Sequence, residues 1–489
     1  MKPGFTVSAW VCLGLLAGCK VGPDYHPPQA AVPAQWASPL AGGETHHPAA
    51  EAEWWKTFRD PELDSLIARS VRSNLDLRFA AARVREARAT RGVVAADLWP
   101  SANASASYAN QRTSQNNPLV EGFPLPPNFP FVQNVYQAGF DAAWELDVFG
   151  GTRRAVEAAN ADIAGAEFGR GNVVLSLLSE VARNYMQARG FQRRLGIARL
   201  NIQAQRDVLA LTQDRLGAGL GSQLDVDQAA ALLANTEAEV PVLETGFKAA
   251  AYHIGVLLGQ PPGAVLEELS KEAPIPASPP EVPVGLPSDL LLRRPDIRQA
   301  ERALAAATAR IGVAVADLFP KFSLTGNVGF QSVTPGTWFN AASSFWSVGP
   351  TVQWRIFAAG RIRANIRVQN ARQEQALAQY EQTVLVSFED VENALTSYAK
   401  EQIRRQSLMT AVQADQQALE ISRQYYRSGL ANFLNVLDSE RSLYQTQDAL
   451  VQSELAVSLD VVALHKALAG GWEEEANEMA KGAPPLPRQ

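Results

Sequence analysis

The sequence predicts a mixed α/β membrane protein made of two internal repeats, each a two-stranded β-hairpin joined to a long coiled-coil helical hairpin. Three observations predict it. The stretch Gly92-Val93-Val94-Ala95-Ala96-Asp97-Leu98-Trp99-Pro100 recurs as Gly312-Val313-Ala314-Val315-Ala316-Asp317-Leu318-Phe319-Pro320, 220 residues later. Each copy ends an alanine-rich helical pattern, and strand-like alternation follows it. Beyond each alternating segment, helical patterning then persists for about 60 residues without proline. An internal duplication of this size points to one architecture in two halves, although 489 residues would ordinarily suggest several domains.

Bulk composition narrows the classes. A formal net charge of −6 argues against a nucleic-acid partner. No stretch after the N-terminus has about 20 uninterrupted apolar residues, so no transmembrane helix is expected in the mature chain. Cys12 and Cys19 are the only cysteines and both lie in the first 20 residues. A disulfide scaffold or a cysteine-based zinc site is thereby excluded for the body of the protein.

Residues 1–18 read as an export signal, with Lys2 as the positive n-region and an apolar run from Phe5 to Leu16. Leu16-Ala17-Gly18-Cys19 resembles a bacterial lipobox, in which Cys19 is acylated and becomes the first mature residue; an ordinary secretory signal is the alternative. Two or three acyl chains anchor a protein far better than one. Lys20, where inner-membrane retention would call for aspartate, favours the outer membrane. Residues 19–60 form a lipidated tether, rich in proline and alanine and lacking periodicity. Asp60 is a fair N-cap with Pro61 at the first helical position, and a helical pattern runs from there to about Leu98.

The first repeat spans 61–260, with strands expected at about 101–111 and 135–147. Ala102, Ala104, Ala106 and Tyr108 share one face of the first strand, and Tyr136, Ala138, Phe140, Ala142 and Trp144 one face of the second. In the second repeat, 288–470, strands are expected at about 321–331 and 345–357, with Phe322, Leu324, Val328 and Phe330 alternating against Ser323, Thr325, Asn327 and Gln331. Strands of this length suit an outer-membrane barrel. Trp144, Phe149, Trp354 and Phe357 would form one aromatic girdle, and Trp338, Phe339, Phe345 and Trp346 the other. A soluble sandwich edge is the competing reading of the alternation.

The helices favour the membrane reading. Val174, Leu178, Val181, Tyr185 and Ala188 follow 4,3 spacing, and Val384, Phe388, Val391, Leu395 and Tyr398 repeat the seam 210 residues later. About 60 residues at 1.5 Å each give roughly 90–100 Å. Heptads sustained over such a length mean coiled-coil packing. Each helix ends near a matched turn containing Gly219 or Gly429, and Ser222 and Asn432 can cap the returning helices. A kink or break is expected at Pro241. Residues 261–287 form a proline-rich connector, and 471–489 a disordered tail.

Four strands cannot close a barrel, and an open sheet edge cannot sit in lipid. Several copies must therefore share one barrel; the physics alone leaves their number open.

Leu286-Pro287-Ser288-Asp289-Leu290-Leu291-Leu292-Arg293-Arg294-Pro295-Asp296-Ile297-Arg298-Gln299-Ala300-Glu301 resembles the signature of TolC-like outer-membrane efflux proteins. Cys19-Lys20-Val21-Gly22-Pro23-Asp24-Tyr25 and the Trp54-Trp55 stretch with Asp60-Pro61-Glu62-Leu63 resemble the OprM/NodT lipoprotein branch. The resemblance implies a homotrimer with a 12-stranded β-barrel in the outer membrane, continued by a periplasmic α-helical barrel. It implies the passive exit duct of a tripartite pump, with a periplasmic adaptor and an inner-membrane transporter of the resistance-nodulation-division (RND) class as partners. It further implies a periplasmic gate from Leu434, Asp438 and Arg441, with Leu434 in an apolar ring and the charged pair linking helices. Adaptor docking would fall on the tips, at Gly217, Gly219, Gly221, Ser222, Arg427, Gly429 and Asn432. No cofactor or metal is expected apart from the covalent lipid on Cys19.

Other classes fare worse. The five histidines, at 26, 46, 47, 253 and 465, show no metal-ligand spacing, and no phosphate loop or nucleophile motif is present, so an enzyme is not expected. A periplasmic coiled-coil scaffold leaves the two alternating hairpins unexplained. A type I protein-secretion duct shares the fold and is the alternative function.

Overall fold

A computed structural model describes residues 20–38, 44–45, 53–114, 130–278 and 282–472. The export signal, Cys19, His46-His47 and the tail from residue 473 onward lie outside the described residues.

In chain order the elements are β1 (Glu44–Thr45), α1 (Pro61–Ser73), α2 (Leu75–Ala96), β2 (Ser101–Arg112), β3 (Val132–Leu146), α3 (Gly151–Gly217) and α4 (Gln223–Leu257). After them come α5 (Leu266–Leu269), β4 (Val282–Pro283), α6 (Leu290–Arg293), α7 (Pro295–Ala316), β5 (Lys321–Ser332), β6 (Ser344–Gln353), α8 (Arg361–Arg427) and α9 (Phe433–Ala467). α3 and α8 each have 67 residues, about 100 Å of helix. α4 and α9 each have 35.

Three local outcomes differ from the sequence expectations. The helix expected from Pro61 to about Leu98 is broken at Asn74, whose backbone is extended (φ −61°, ψ 135°). Asn74 Oδ1 accepts from the Leu77 amide at 3.0 Å and starts a second helix, the usual chemistry of an asparagine cap. By contrast, α4 runs through Pro241 without a break. Pro241 lies on the exposed face, where water can take up the carbonyl left without a donor. Finally, β6 stops at Gln353 rather than near 357. The chain folds back after it, with the Ile356 amide donating to the Trp354 carbonyl at 3.1 Å.

The chain divides into two compact units. One comprises residues through Pro28, Arg85–Gly165 and Glu301–Gln379 and holds a single four-stranded sheet ordered β2-β3-β5-β6. All of its pairings are antiparallel, and the two repeats meet at β3–β5. The register aligns the sequence alternation across strands. Phe140 lies opposite Ala104 and Val328, and Val328 opposite Trp346. Asp141 lies opposite Asn103 and Asn327, and Asn327 opposite Ser347. One face is therefore apolar and the other polar, because directly paired residues point to the same side. Among the described residues nothing covers the apolar face: Phe140, Val328, Trp346, Val348 and Val352 are all exposed, Trp346 at 76%.

Each helix-to-strand junction in this unit is tied by a tryptophan. Trp144 Nε1 donates to the Leu98 carbonyl at 2.9 Å. Trp354 Nε1 donates to the Leu318 carbonyl at 3.0 Å. Leu98 and Leu318 are equivalent residues of the duplicated stretch, so the repeats use the same device.

The other unit comprises Gln29–Val84, Ala166–Ala300 and residues from Tyr380 onward. Its main core joins Trp54, Leu63 and Leu66 to Val174, Leu178, Val181 and Tyr185 of α3 and to Val384, Val391, Leu395 and Tyr398 of α8. The expected 4,3 seams are thus buried, with Phe388 half-buried at the edge of this core. The tether docks in this unit as well. Glu392 accepts from the amides of Ala37 (2.6 Å) and Ser38 (2.9 Å), and β1 pairs in parallel with β4 of the connector. Trp472, within the expected tail, packs its ring over Gly171 and donates to the Arg293 carbonyl at 2.9 Å.

Candidate gate and docking tips

The far ends of the two helical hairpins hold every gate and tip residue singled out above. α3 ends in a left-handed turn at Gly219 (φ +74°), with the Leu220 amide donating to the Arg215 carbonyl at 2.8 Å. α8 ends alike at Gly429 (φ +73°), with the Leu430 amide donating to the Tyr425 carbonyl at 2.8 Å. Such a turn uses helix-end carbonyls that would otherwise stay unpaired. Ser222 then caps α4 reciprocally with Asp225, and Asn432 caps α9 through the Asn435 amide.

The turns are exposed. Gly217, Gly219, Ser222, Arg427, Gly429 and Asn432 all face solvent, with Gly221 half-buried. Leu220 and Leu430, at equivalent places in the two turns, are 68% and 76% exposed.

Below the second turn, α9 has two dissimilar faces. Val436, Glu440 and Leu443 are buried, and Val436 and Leu443 share a cluster with Leu419 and Tyr426 of α8, Val208 of α3 and Ala229 of α4. Leu434, Asp438 and Arg441 lie on the open side: Leu434 is 47% exposed, and Arg441 Nη2 donates to Asp438 Oδ1 at 2.9 Å along the same helix. Spacings of four and three place these residues on one helix face. Within the single chain the charged pair is intrahelical. The first-repeat equivalents, Leu224 and Gln228, carry no charge, so the two hairpins present different chemistry.

Two contacts at the tips were not read from the sequence. Arg423 Nη2 donates to buried Glu440 at 2.8 Å, joining α8 to α9. Burial pushes the Glu440 carboxyl above its ordinary range, and Arg423 opposes that. The Arg215 guanidinium sits 4.5 Å over the Tyr426 ring and donates to the Tyr426 carbonyl at 3.2 Å, joining the first hairpin to the second. Arg215 stands in the matched turn segment, but its partner is 211 residues away, beyond the reach of local patterning. Among the described residues, no group of three or more His, Cys, Asp or Glu could hold a metal ion. None of the described helices is long and apolar enough to cross a membrane.

Comparisons with known proteins agree with this architecture. Residues 66–260 and 286–470, one span per repeat, match the outer membrane efflux protein family. The chain is 34% identical over 481 residues to the pyoverdine export outer membrane protein OpmQ of Pseudomonas aeruginosa, covering 96% of this chain and 97% of the relative. It is 32% identical over 445 residues to nodulation protein T of Rhizobium leguminosarum bv. trifolii, covering 90% and 91%. Among solved structures, the outer-membrane channel OprN superposes with a TM-score of 0.86 at 39% identity, covering 93% of this chain and 100% of that one. The open state of the Neisseria gonorrhoeae MtrE outer membrane channel superposes at 0.80 with 28% identity, covering 93% and 99%. With a matched span in each repeat and the fold of these TolC-like channels, the chain belongs to the outer membrane efflux protein family.

Proposed function

We propose that the protein is the outer-membrane exit duct of a tripartite RND-type efflux pump. It conducts small molecules passively from the periplasm to the exterior. The observation that carries the reading is the four-stranded sheet with one bare apolar face, one polar face and two open edges. A lipid-facing exterior accounts for the apolar side and a water-filled lumen for the polar side. Open edges are not tolerated in lipid, so β2 of one copy pairs with β6 of the next. Three chains, the number the family resemblance implies, give 12 strands, within the range of known barrels. Cys19 carries the covalent lipid.

In this reading the helical hairpins extend the duct through the periplasm and their turns meet the adaptor, which links the duct to the inner-membrane transporter. Exposed Leu220 and Leu430 flank the docking residues Gly217, Gly219, Gly221, Ser222, Arg427, Gly429 and Asn432. Leu434 narrows the lumen, and Asp438 and Arg441 hold the closed state by charge-assisted bonds to neighbouring helices. The energy for transport comes from the transporter, so the duct needs no catalytic group or cofactor.

Deleting the gene, then comparing susceptibility to antibiotics, solvents and dyes with export of secreted proteins, tests the function. Increased susceptibility with unchanged protein export is expected. Loss of a secreted polypeptide with unchanged susceptibility would replace this reading with that of a type I secretion duct. Native mass spectrometry of the detergent-extracted protein tests the trimer.

A further inference from the structure

Arg154, in the first turn of α3, is 1% exposed, and most of its donors serve the N-terminal arm. Nε donates to the Val21 carbonyl at 3.0 Å. Nη2 donates to the Gly22 carbonyl at 3.1 Å and to Asp24 Oδ1 at 2.8 Å. Nη1 donates to Glu157 at 3.0 Å, and Glu157 also pairs with Lys20. The arm answers with its own backbone, the Val21 amide donating to the Phe149 carbonyl at 3.2 Å. The Arg154 guanidinium lowers the Asp24 carboxyl below its ordinary range, by hydrogen bond and by charge.

The fit also depends on glycine. Gly22 has φ +89°, and a Cβ on it would lie 2.4 Å from the Gly312 Cα. A Cβ on Gly312 would lie 2.8 Å from the Arg154 side chain. A Cβ on Gly150 would lie 3.0 Å from the Lys20 Cα. Among the described residues the site exists in only one of the two repeats. Gly92, the equivalent of Gly312, has nothing within 4 Å of the same construction, and Ala364 stands where Arg154 would recur.

We propose that Arg154 latches the residues behind the lipidated cysteine onto the start of α3. The acyl chains then enter the membrane at the β3–α3 junction, not from the end of a free tether. A buried guanidinium without its partners is strongly unfavourable, so the arm and the helix start stabilise one another. The close approach of Gly22 to Gly312 sets the register: a slip of one residue would bring Val21 or Pro23 onto a position that accepts no side chain. The proposal rests on the lipid-anchor reading of Cys19.

Lys20 is the only Lys or Arg between Cys19 and Lys56, which gives a direct test. Outer-membrane fractions holding the full chain, labelled metabolically with palmitate, are exposed to lysyl endopeptidase, and mass spectrometry follows the chain that begins at Val21. Wild type should be cut slowly at Lys20. Arg154→Met and Gly22→Ala should each be cut at least about tenfold faster, with release of the label. Gly22→Ala alters only the arm, so it decides the matter if Arg154→Met accumulates poorly. Equal rates for wild type and Gly22→Ala would overturn the latch. Slow cutting of an unlabelled wild-type chain would keep the latch and remove the lipid.

Discussion

Asn74 and Arg294 hold the same place in the two repeats and make the same contact with different chemistry. Asn74 Nδ2 donates to the Leu257 carbonyl at 2.9 Å. Arg294 Nη1 donates to the Ala467 carbonyl at 3.2 Å. Each bond reaches the last residue of its repeat's returning helix, α4 or α9, and each residue interrupts the helix that leads to the membrane strands. Arg294 does more, since its guanidinium also binds Asp296 at 2.6 Å and Asp390 at 3.0 Å. Substitution should therefore be unequal. Arg294→Met is expected to cost about 3 kcal/mol, because it leaves the buried carbonyls of Ser387 and Ala467 without their donor. Asn74→Ala should cost about 1–2 kcal/mol. Unfolding followed by circular dichroism measures both, and a wild-type midpoint for Arg294→Met would refute the assignment.

The tryptophan ties predict a matched pair of losses. Trp144→Phe and Trp354→Phe each remove one donor to a junction carbonyl and should each cost about 1 kcal/mol. Trp346→Phe, at an exposed ring, should stay within about 0.5 kcal/mol. Thermal unfolding in detergent distinguishes them; three equal effects would mean that the indole N–H groups do not matter.

Gly259 and Ala469 end α4 and α9 with left-handed backbones, φ +66° and φ +58°. Alanine is accommodated in the second repeat. In the first, a Cβ on Gly259 would come within 2.5 Å of the Ser73 carbonyl oxygen. Gly259→Ala is therefore expected to cost more than about 2 kcal/mol, combining left-handed strain with a backbone clash. Denaturant titration measures it, and a neutral result would argue against the tight seat of α4 on α1.

His465 stacks on Trp54 with centroids 5.0 Å apart and rings 12° from parallel. Burial lowers its pKa to about 4. In the unfolded chain this group takes up a proton near pH 6.5, earlier than in the fold. Its stabilising effect is thus complete above pH 6.5 and is lost as pH falls from there towards 4. The slope is about 1.4 kcal/mol per pH unit. His465→Phe keeps the stack and removes the titration, so its stability should vary less between pH 7 and 5 than that of wild type. Parallel pH profiles would exclude His465 as the source.

At the proposed gate, Asp438→Ala combined with Arg441→Ala should raise single-channel conductance in planar bilayers. The stability cost should be small, about 0–1 kcal/mol, because the pair is exposed. Unchanged conductance would take both residues out of the gate.

Much of this architecture was legible because duplication and periodicity are local signals. The twin Asp-Leu-aromatic-Pro stretches, the 4,3 seams and the tip glycines each announce themselves within a few turns of chain. What was missed depends on distant partners. The break at Asn74 lies inside an uninterrupted helical pattern, and the carbonyl that its cap side chain also binds is 183 residues away. The early end of β6 reflects a turn of chain that aromatic spacing does not encode. Arg154 carries no signal of its own, because nothing near it in sequence reveals that Gly22 approaches Gly312. For the gate trio the sequence supplied the shared helix face, while its role came from family resemblance.

The sheet's two repeats join in the middle, which leaves β2 and β6 as its outer strands. The proposed barrel is closed by contacts that no single chain owns. A copy damaged at either outer strand thus harms its neighbours as well as itself. In the proposed trimer, with sound and faulty chains in equal supply, only about one ring in eight contains no faulty member. In that assembly, dominance of the defective form follows from where the two repeats were joined.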